Sequence, residues 1–358
     1  MTTSEFDADR PPERGRRRRG GGGGGGRRGR RGDPHAVVPE PEFTSYYDHN
    51  VVKPAPWGEE IAAYLFLGGL AAGSALVGAG GHFTGRPRLE RRSRLAALVA
   101  GSLGGLALIA DLGRPERALN MMRTMKLTSP MSVGSWILMG FMGTTGAAVA
   151  LDVATPMTRR TRAEGVARVG ESLASAGSAF FAPPLAAYTA VLLSATATPT
   201  WHEAADELPF VFVGSATAAG AGLSLVTTPP AETMPARVLA AAGAALDLVA
   251  DHRMGERLGM LAEPLETGLS GRLHRAAKVL TLAGGIGALV GGGRRPTAAL
   301  SGLALMAGSV CTRLAVFHAG IASAKDPKYT IVPQRERAEA AARAGHGVTQ
   351  PGEPAQDA

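Results

Sequence analysis

The chain has 358 residues, 45% of them hydrophobic, with a formal net charge of +8 and a mean hydropathy of only +0.05, an average diluted by polar segments at both ends. Its single cysteine, Cys311, excludes a disulfide framework and any cysteine-ligated iron-sulfur cluster held by this chain alone. The basicity is local, because residues 1–35 hold ten arginines against five acids.

That N-terminal segment runs Arg14 to Arg31 through seven consecutive glycines. The Arg14–Arg31 stretch has no apolar residue and cannot bury a core, so residues 1–42 are expected to form a disordered Arg/Gly-rich tail. A solvated tail is the simplest reading. Of the specific alternatives, contact with the headgroups of membrane lipids fits better than nucleic acid, and no nucleic-acid partner is expected. The arginines are followed by glycine and not by an apolar stretch of the secretion-signal kind, so the first apolar span is expected to serve as its own insertion signal.

From residue 59 onward the pattern changes. Apolar runs occur near 59–83, 93–112, 131–151, 173–195, 209–228, 236–250, 277–293 and 297–319. Most are close to the roughly 20 residues that cross a hydrocarbon core. The expectation is an all-α integral membrane protein, an eight-transmembrane-helix bundle over 43–322 with a polar C-terminal tail over 323–358. The short runs 236–250 and 277–293 leave six or seven crossings open. The spans are rich in Gly, Ala and Ser, which in lipid permit close helix approach. The alternation of polar and apolar residues that a membrane barrel requires is absent from the sequence.

With eight crossings both termini lie on one side, side A. Twelve arginines, among them Arg86, Arg88, Arg91, Arg92, Arg159 and Arg294, then fall on the short loops of side B. The excess of positive charge in short loops places side B in the cytoplasm, although the arginine-rich tail argues for the reverse. His49, His202, His252, His274 and His318 collect at side A, and His82 lies on side B.

Between the second and third spans stands a charged, proline-punctuated hinge, DLGRPERALNMMRTMKLTSPMSVGSW, from Asp111 to Trp136. Charge at that density beside a membrane helix is costly, which points to docking or positioning. Asp111 reads either as a proton relay or as the partner of Arg114 or a cap of the hinge backbone. Arg114 and Arg117 read as docking or structural residues. Asp247 and Arg313 sit at similar depth near the side A ends of their runs, so an ion pair is expected, either as a structural lock or as a proton-conducting pair. Bis-histidine haem is disfavoured because the histidines sit at helix ends, and His252 with Glu256 reads as surface structure. Glu60 and Tyr64, four apart, share one helical face, and Tyr188 lies near the side A end of its span. The tyrosines read as an interfacial aromatic belt or as hydrogen-bonding groups for a quinone carbonyl.

Three segments carry a resemblance: WGEEIAAYLFLGGLAAG from Trp57, the hinge, and AYTAVLLS from Ala187. They resemble the NrfD/PsrC family of polysulfide reductase-type membrane subunits, over roughly residues 43–335. SAKDPKYTIVPQ, from Ser323, is similar to a segment that some members carry after the last helix. The resemblance implies a multi-pass subunit in the cell membrane that binds quinone or menaquinone, with no haem or iron-sulfur cluster of its own. It implies a ferredoxin-like iron-sulfur subunit and a molybdopterin oxidoreductase subunit as partners. Tyr188 matches the quinone-contacting tyrosine of the family, Tyr64 stands where polysulfide reductase has a histidine, and Glu60 and Asp111 become the candidate proton relay. Two rivals remain: a structural membrane anchor without quinone chemistry, and a small transporter. The transporter would require internal repeats with corresponding broken helices, and no such halves are evident in the sequence.

Overall fold

A computed structural model describes residues 50–111, 116, 120, 123–158 and 164–343. Among these it is helical throughout, without strands. The long helices are α1 (Glu59–Phe83), α2 (Pro87–Asp111), α3 (Pro130–Thr158) and α4 (Glu164–Ser194). After the short α5 (Pro199–Glu203) come α6 (Leu208–Thr227), α7 (Met234–Leu258), the one-turn α8 (Glu263–Glu266), α9 (Gly268–Gly291), α10 (Arg295–Lys325) and α11 (Lys328–Arg343).

Seven of these helices are long and apolar enough to cross a membrane, and the chain is a multi-pass membrane protein. Of the two short runs left open by the sequence, 277–293 belongs to one of the seven, the 24-residue α9. The other lies in α7, which has the length of a span at 25 residues but carries Arg237, Asp247, Asp251, Arg253 and Arg257 and is too polar to join the seven. It is held instead by its neighbours α6 and α9. The expectation of eight therefore stands as seven apolar helices and one polar companion. The segment after residue 322 is ordered further than a tail: α10 continues to Lys325, and α11 follows at once. Residues 1–49 and the Arg/Gly tail within them lie outside the described residues, as do Arg114 and Arg117.

Helix neighbours repeat in two halves. In the first, α1 packs on α2 and α4, α3 on α4 and α2; in the second, α6 packs on α7 and α10, α9 on α10 and α7. Each half is a four-helix bundle with the same order of neighbours, a repeat the sequence does not display. The halves join through α1 and α6, whose apolar windows are 78% and 72% buried against 17% for the outlying α3. At this seam a Cβ on Gly73 would overlap the carbonyl of Ala216, and one on Gly220 the backbone of Gly73. Only glycine permits that approach, and in lipid, where no hydrophobic force drives helices together, close van der Waals packing of this kind is what associates them.

Local signals set the helix ends. Ser129 accepts a hydrogen bond from the amide of Ser132 (3.4 Å) ahead of Pro130, the first residue of α3. Gly85, at φ 67°, makes the reversal from α1 to α2. On side B the arginines serve the bundle itself. Arg86 donates to the carbonyl of Ala231 (3.1 Å), Arg237 to Ala288 (2.9 Å), Arg295 to Thr228 (2.7 Å) and Arg92 to Thr227. Several of these carbonyls close the C-terminal ends of α6 and α9, where cations satisfy orphan acceptors and oppose the helix dipole.

Candidate functional site

The first half of the bundle places Tyr64, six residues into α1, beside Tyr188, six residues before the end of α4. Both are buried, at 2% and 8% exposure, their hydroxyls hydrogen-bond to each other, and their ring centroids lie 6.4 Å apart at 55°. Two residues 124 positions apart in sequence thus form one hydroxyl pair near the side A face. Glycines shape the seat. A Cβ on Gly134 would strike the Tyr188 ring, and one on Gly104 would press on Tyr64 at 3.3 Å.

Tyr188 also lines an open cavity of about 380 Å³ between α3 and α4, with Leu127, Thr128, Pro130, Val133, Ile137 and Pro184 among its walls. The end of the hinge therefore forms part of the wall. Pro183 and Pro184 lie inside α4 one turn before Tyr188. Their missing amides remove two hydrogen bonds of the helical ladder, which a membrane helix tolerates where neighbours compensate. Tyr64 is not in the cavity wall; it stands behind Tyr188. The sequence singled out the tyrosines, but not Gly134 or the proline pair, whose signal was only their position within an apolar run. Gly134→Ala is expected to displace the Tyr188 ring and lower occupancy of this cavity several-fold at a cost of about 1–3 kcal/mol, measured as ligand affinity alongside thermal stability.

The two candidate relay carboxylates stand apart from the pair. Glu60 is exposed at the first turn of α1, one turn toward side A from Tyr64, and Asp111 is half-buried at the last residue of α2. Neither makes a hydrogen bond or ion pair among the described residues. The expected Asp247–Arg313 ion pair is not formed. Arg313 instead donates to the carbonyl of Phe212 (2.7 Å) and lies 3.7 Å over its ring. The two charges still act on each other electrostatically. Both are deeper than the apolar runs implied, because α7 continues to Leu258 and α10 to Lys325. Arg313 stands twelve residues, about 18 Å, from the end of its helix. His252 and Glu256 form an exposed pair at 3.4 Å, as a surface reading requires.

At the other end of α1 and α4 lies a cluster that sequence reasoning missed. Arg94 of α2, 4% exposed, donates to Glu171 of α4 (2.7 Å), contacts Glu90 (2.5 Å) and hydrogen-bonds Ser175. His82 of α1 hydrogen-bonds Glu90 (2.7 Å) and Ser172 (2.9 Å). The ligand atoms of His82, Glu90 and Glu171 lie within 4.8 Å of one another, a spacing that suits a metal ion. The guanidinium already stands among them as the cation, so the group reads as an ionic lock joining α1, α2 and α4. The i,i+4 spacing of Glu90 and Arg94 was visible in the sequence; Glu171 was not foreseeable.

The side A rim is held by its own charge pairs. The acidic turn Glu203 to Glu207 receives Arg257 from α7, which grips Glu207 at 2.6 and 2.5 Å, and Arg337 from α11, 2.6 Å from Glu203. Trp201 donates to the carbonyl of Val316 (2.7 Å) and stacks on Trp57 at 5.8 Å. Lys328 of α11 pairs with Glu263 of α8 at 2.5 Å, and the hydrogen bond from that ammonium holds the Glu263 carboxyl below the usual glutamate range. A carboxyl lowered on folding contributes stability above its unfolded pKa and loses it as pH falls through the folded value. Protection from hydrogen exchange over 328–343, taken relative to the intrinsic rate at each pH, is therefore expected to be flat above about pH 4.3 and to fall below it, and Glu263→Gln is expected to abolish that step.

These features define a polytopic all-α membrane protein with a buried tyrosine pair beside a cavity at one membrane face. The chain matches the family described as polysulphide reductase, NrfD, over residues 48–233, just over half its length, and it belongs to that family. It is a membrane subunit of an oxidoreductase complex, and its partners are oxidoreductase subunits. No curated protein matches the chain.

Proposed function

We propose that the chain binds quinone or menaquinone in the cavity between α3 and α4 and links the quinone pool to an iron-sulfur partner, a ferredoxin-like subunit that hands electrons on to a molybdopterin oxidoreductase subunit. The observation that carries this is that Tyr188, whose hydroxyl bonds that of Tyr64 behind it, lines an apolar cavity near side A. A volume of about 380 Å³ falls within the roughly 300–1,000 Å³ of small-molecule sites, and an apolar lining with a few polar groups, here Tyr188 and Thr128, is the composition expected of them. A bound quinol supplies two electrons and two protons.

The chain's residues divide the remaining work. The apolar wall from Leu127 to Ile137 excludes water and orients a ring, and Tyr188 offers its hydroxyl to a ring oxygen. Tyr64 backs Tyr188, so as a quinol proton arrives at the Tyr188 oxygen the Tyr188 hydroxyl proton passes to the Tyr64 oxygen and the Tyr64 proton is released outward, leaving both phenols neutral. Glu60, one turn nearer the surface, is the group to receive it there. Asp111 is the alternative exit, at the end of α2 beside the hinge. The single cysteine cannot build an iron-sulfur relay, so electrons must leave through a partner at the hinge face, and Arg114 and Arg117 are the hinge cations suited to dock it.

The mutual hydrogen bond of the tyrosines favours one other reading, a structural anchor in which the pair only locks α1 to α4. Equilibrium binding of a short-chain menaquinone analogue to the purified chain in nanodiscs separates them. Saturable binding that Tyr188→Phe weakens about tenfold, in keeping with loss of one buried hydrogen bond, supports the quinone site. Absent binding, or binding unaffected by Tyr188→Phe and by Gly134→Ala, supports the anchor.

A further inference from the structure

The second half of the bundle holds a charged group that the quinone reading leaves unused. Arg313 is 1% exposed, and its Nε and Nη1 are buried without a hydrogen-bond partner. Asp247 on α7, 4% exposed, acts on Arg313 without touching it. One helical turn nearer side A, Asp251 is hydrogen-bonded to His274 (2.7 Å) and in ionic contact with Lys278 (2.9 Å). Between these levels is a small cavity of about 10 Å³ lined by Asp247, Asp251, His274, Lys278, Thr281 and Thr312.

Two buried opposite charges held apart, one of them with two unused donors, are costly unless something polar bridges them. Arg313 does not line the cavity, which lies on the other side of Asp247; at about 10 Å³ it has room for one water bridging Asp251 to Asp247, with carboxylate, imidazole and hydroxyl partners in its lining. The side A end of the group is His274, six residues past the start of α9 and 14% exposed; Lys278, one turn deeper and 47% exposed, has a stem long enough to carry its ammonium toward that interface. Beyond Asp247 the line ends at the fixed positive charge of Arg313, which repels a hydrated proton and closes the route. The charged groups around Asp247 are Asp251 on its own helix, His274 and Lys278 on α9, and Arg313 on α10. Helix α6 has no ionisable side chain and meets Asp247 through Gly214, while α1 has carboxylates only at Glu59 and Glu60.

The repeat of helix neighbours sharpens this placement. Arg313 and Phe212 stack between the fourth and first helices of the second half, as Tyr188 and Tyr64 meet between the fourth and first helices of the first. We propose that the α7–α9–α10 cluster is a proton port, a half-channel that opens to side A at Lys278, His274 and Asp251, loads a proton on Asp247 and stops at Arg313. In the loading step an O–H bond of the bridging water breaks as an O–H bond forms at an Asp247 carboxylate oxygen. That water is reprotonated from the side A solvent past His274, and no electron moves. The port lies beyond the residues of the family match and does not depend on quinone binding.

Infrared difference spectroscopy of the full chain in nanodiscs, without quinone, tests it by pH titration and by exchange from H2O to D2O. The expected result is a protonated-carboxyl band that titrates, shifts promptly in D2O, is lost in Asp247→Asn and moves in the conservative Asp247→Glu. Arg313→Met in liposomes is expected to raise passive proton leak several-fold over wild type. A carboxyl band absent at every pH, one that persists in Asp247→Asn, or one that fails to exchange in D2O would overturn the proposal in favour of a sealed structural charge pair. Should Asp247→Asn fail to fold, the exchange behaviour of the wild type and of Asp247→Glu decides alone.

Discussion

Replacing Tyr188 with Phe is expected to lower quinol-linked electron transfer by about 10- to 1,000-fold while the subunit still folds and assembles. The range follows from the role proposed for the hydroxyl. Loss of one hydrogen bond to a neutral ligand accounts for the lower figure, and loss of a positioned proton donor and acceptor for the upper. The ring itself remains, so the packing against Gly134 is preserved. Tyr64→Phe is expected to fall less, because Tyr64 stands behind Tyr188 and a water can replace its hydroxyl; Glu60→Gln is expected to slow turnover with little change in affinity. The measurement is quinol oxidation by the assembled complex in membranes, normalised to the amount of subunit present. Unchanged rates in Tyr188→Phe and Glu60→Gln together, with intact assembly, would return the chain to the role of an anchor.

The largest stability effect is expected at the opposite end of the same helices. Arg94→Met leaves Glu90 and Glu171 facing each other at a buried site without their shared cation, and is expected to cost about 3–5 kcal/mol. The triple variant Arg94→Met, Glu90→Gln, Glu171→Gln removes the stranded charges and is expected to recover most of that loss. Cys311 offers the readout, since it is the single thiol of the chain and half-buried in α10, so its reaction with a thiol dye during heating follows unfolding. An Arg94→Met protein as stable as wild type would mean that the cluster is hydrated or otherwise compensated.

How far the sequence reaches is clearest from particular residues. The eight apolar runs each coincide, to within two residues at their ends, with part of a long helix, because lipid leaves the backbone no partner except its own and makes apolar length a nearly sufficient signal. Tyr64 and Tyr188 could be placed at one level from their distance to the ends of their runs. Their contact could not, since it requires α1 and α4 to be neighbours with both rings turned inward. Asp247 and Arg313 were read at the right face but too shallow, because polar residues that continue a helix past its apolar stretch are invisible to hydropathy. The same blindness hid the lock around Arg94. Its members sit at the end of α1 and near the starts of α2 and α4, at or just outside the edges of the apolar runs, where sequence suggests solvent and packing supplies burial.

The sequence by itself therefore determined that this is a helical membrane protein and to which family it belongs. Those properties depend on composition, on span length and on short local motifs. The tertiary structure decided which side chains meet: the tyrosine pair behind the cavity wall that Tyr188 lines, the guanidinium among the carboxylates of α2 and α4, and the separation of Asp247 from Arg313. Those depend on helix rotation and order, set by backbone contacts such as Gly73 against Gly220. A one-dimensional pattern of apolar residues, nearly uniform around each helix, does not encode them.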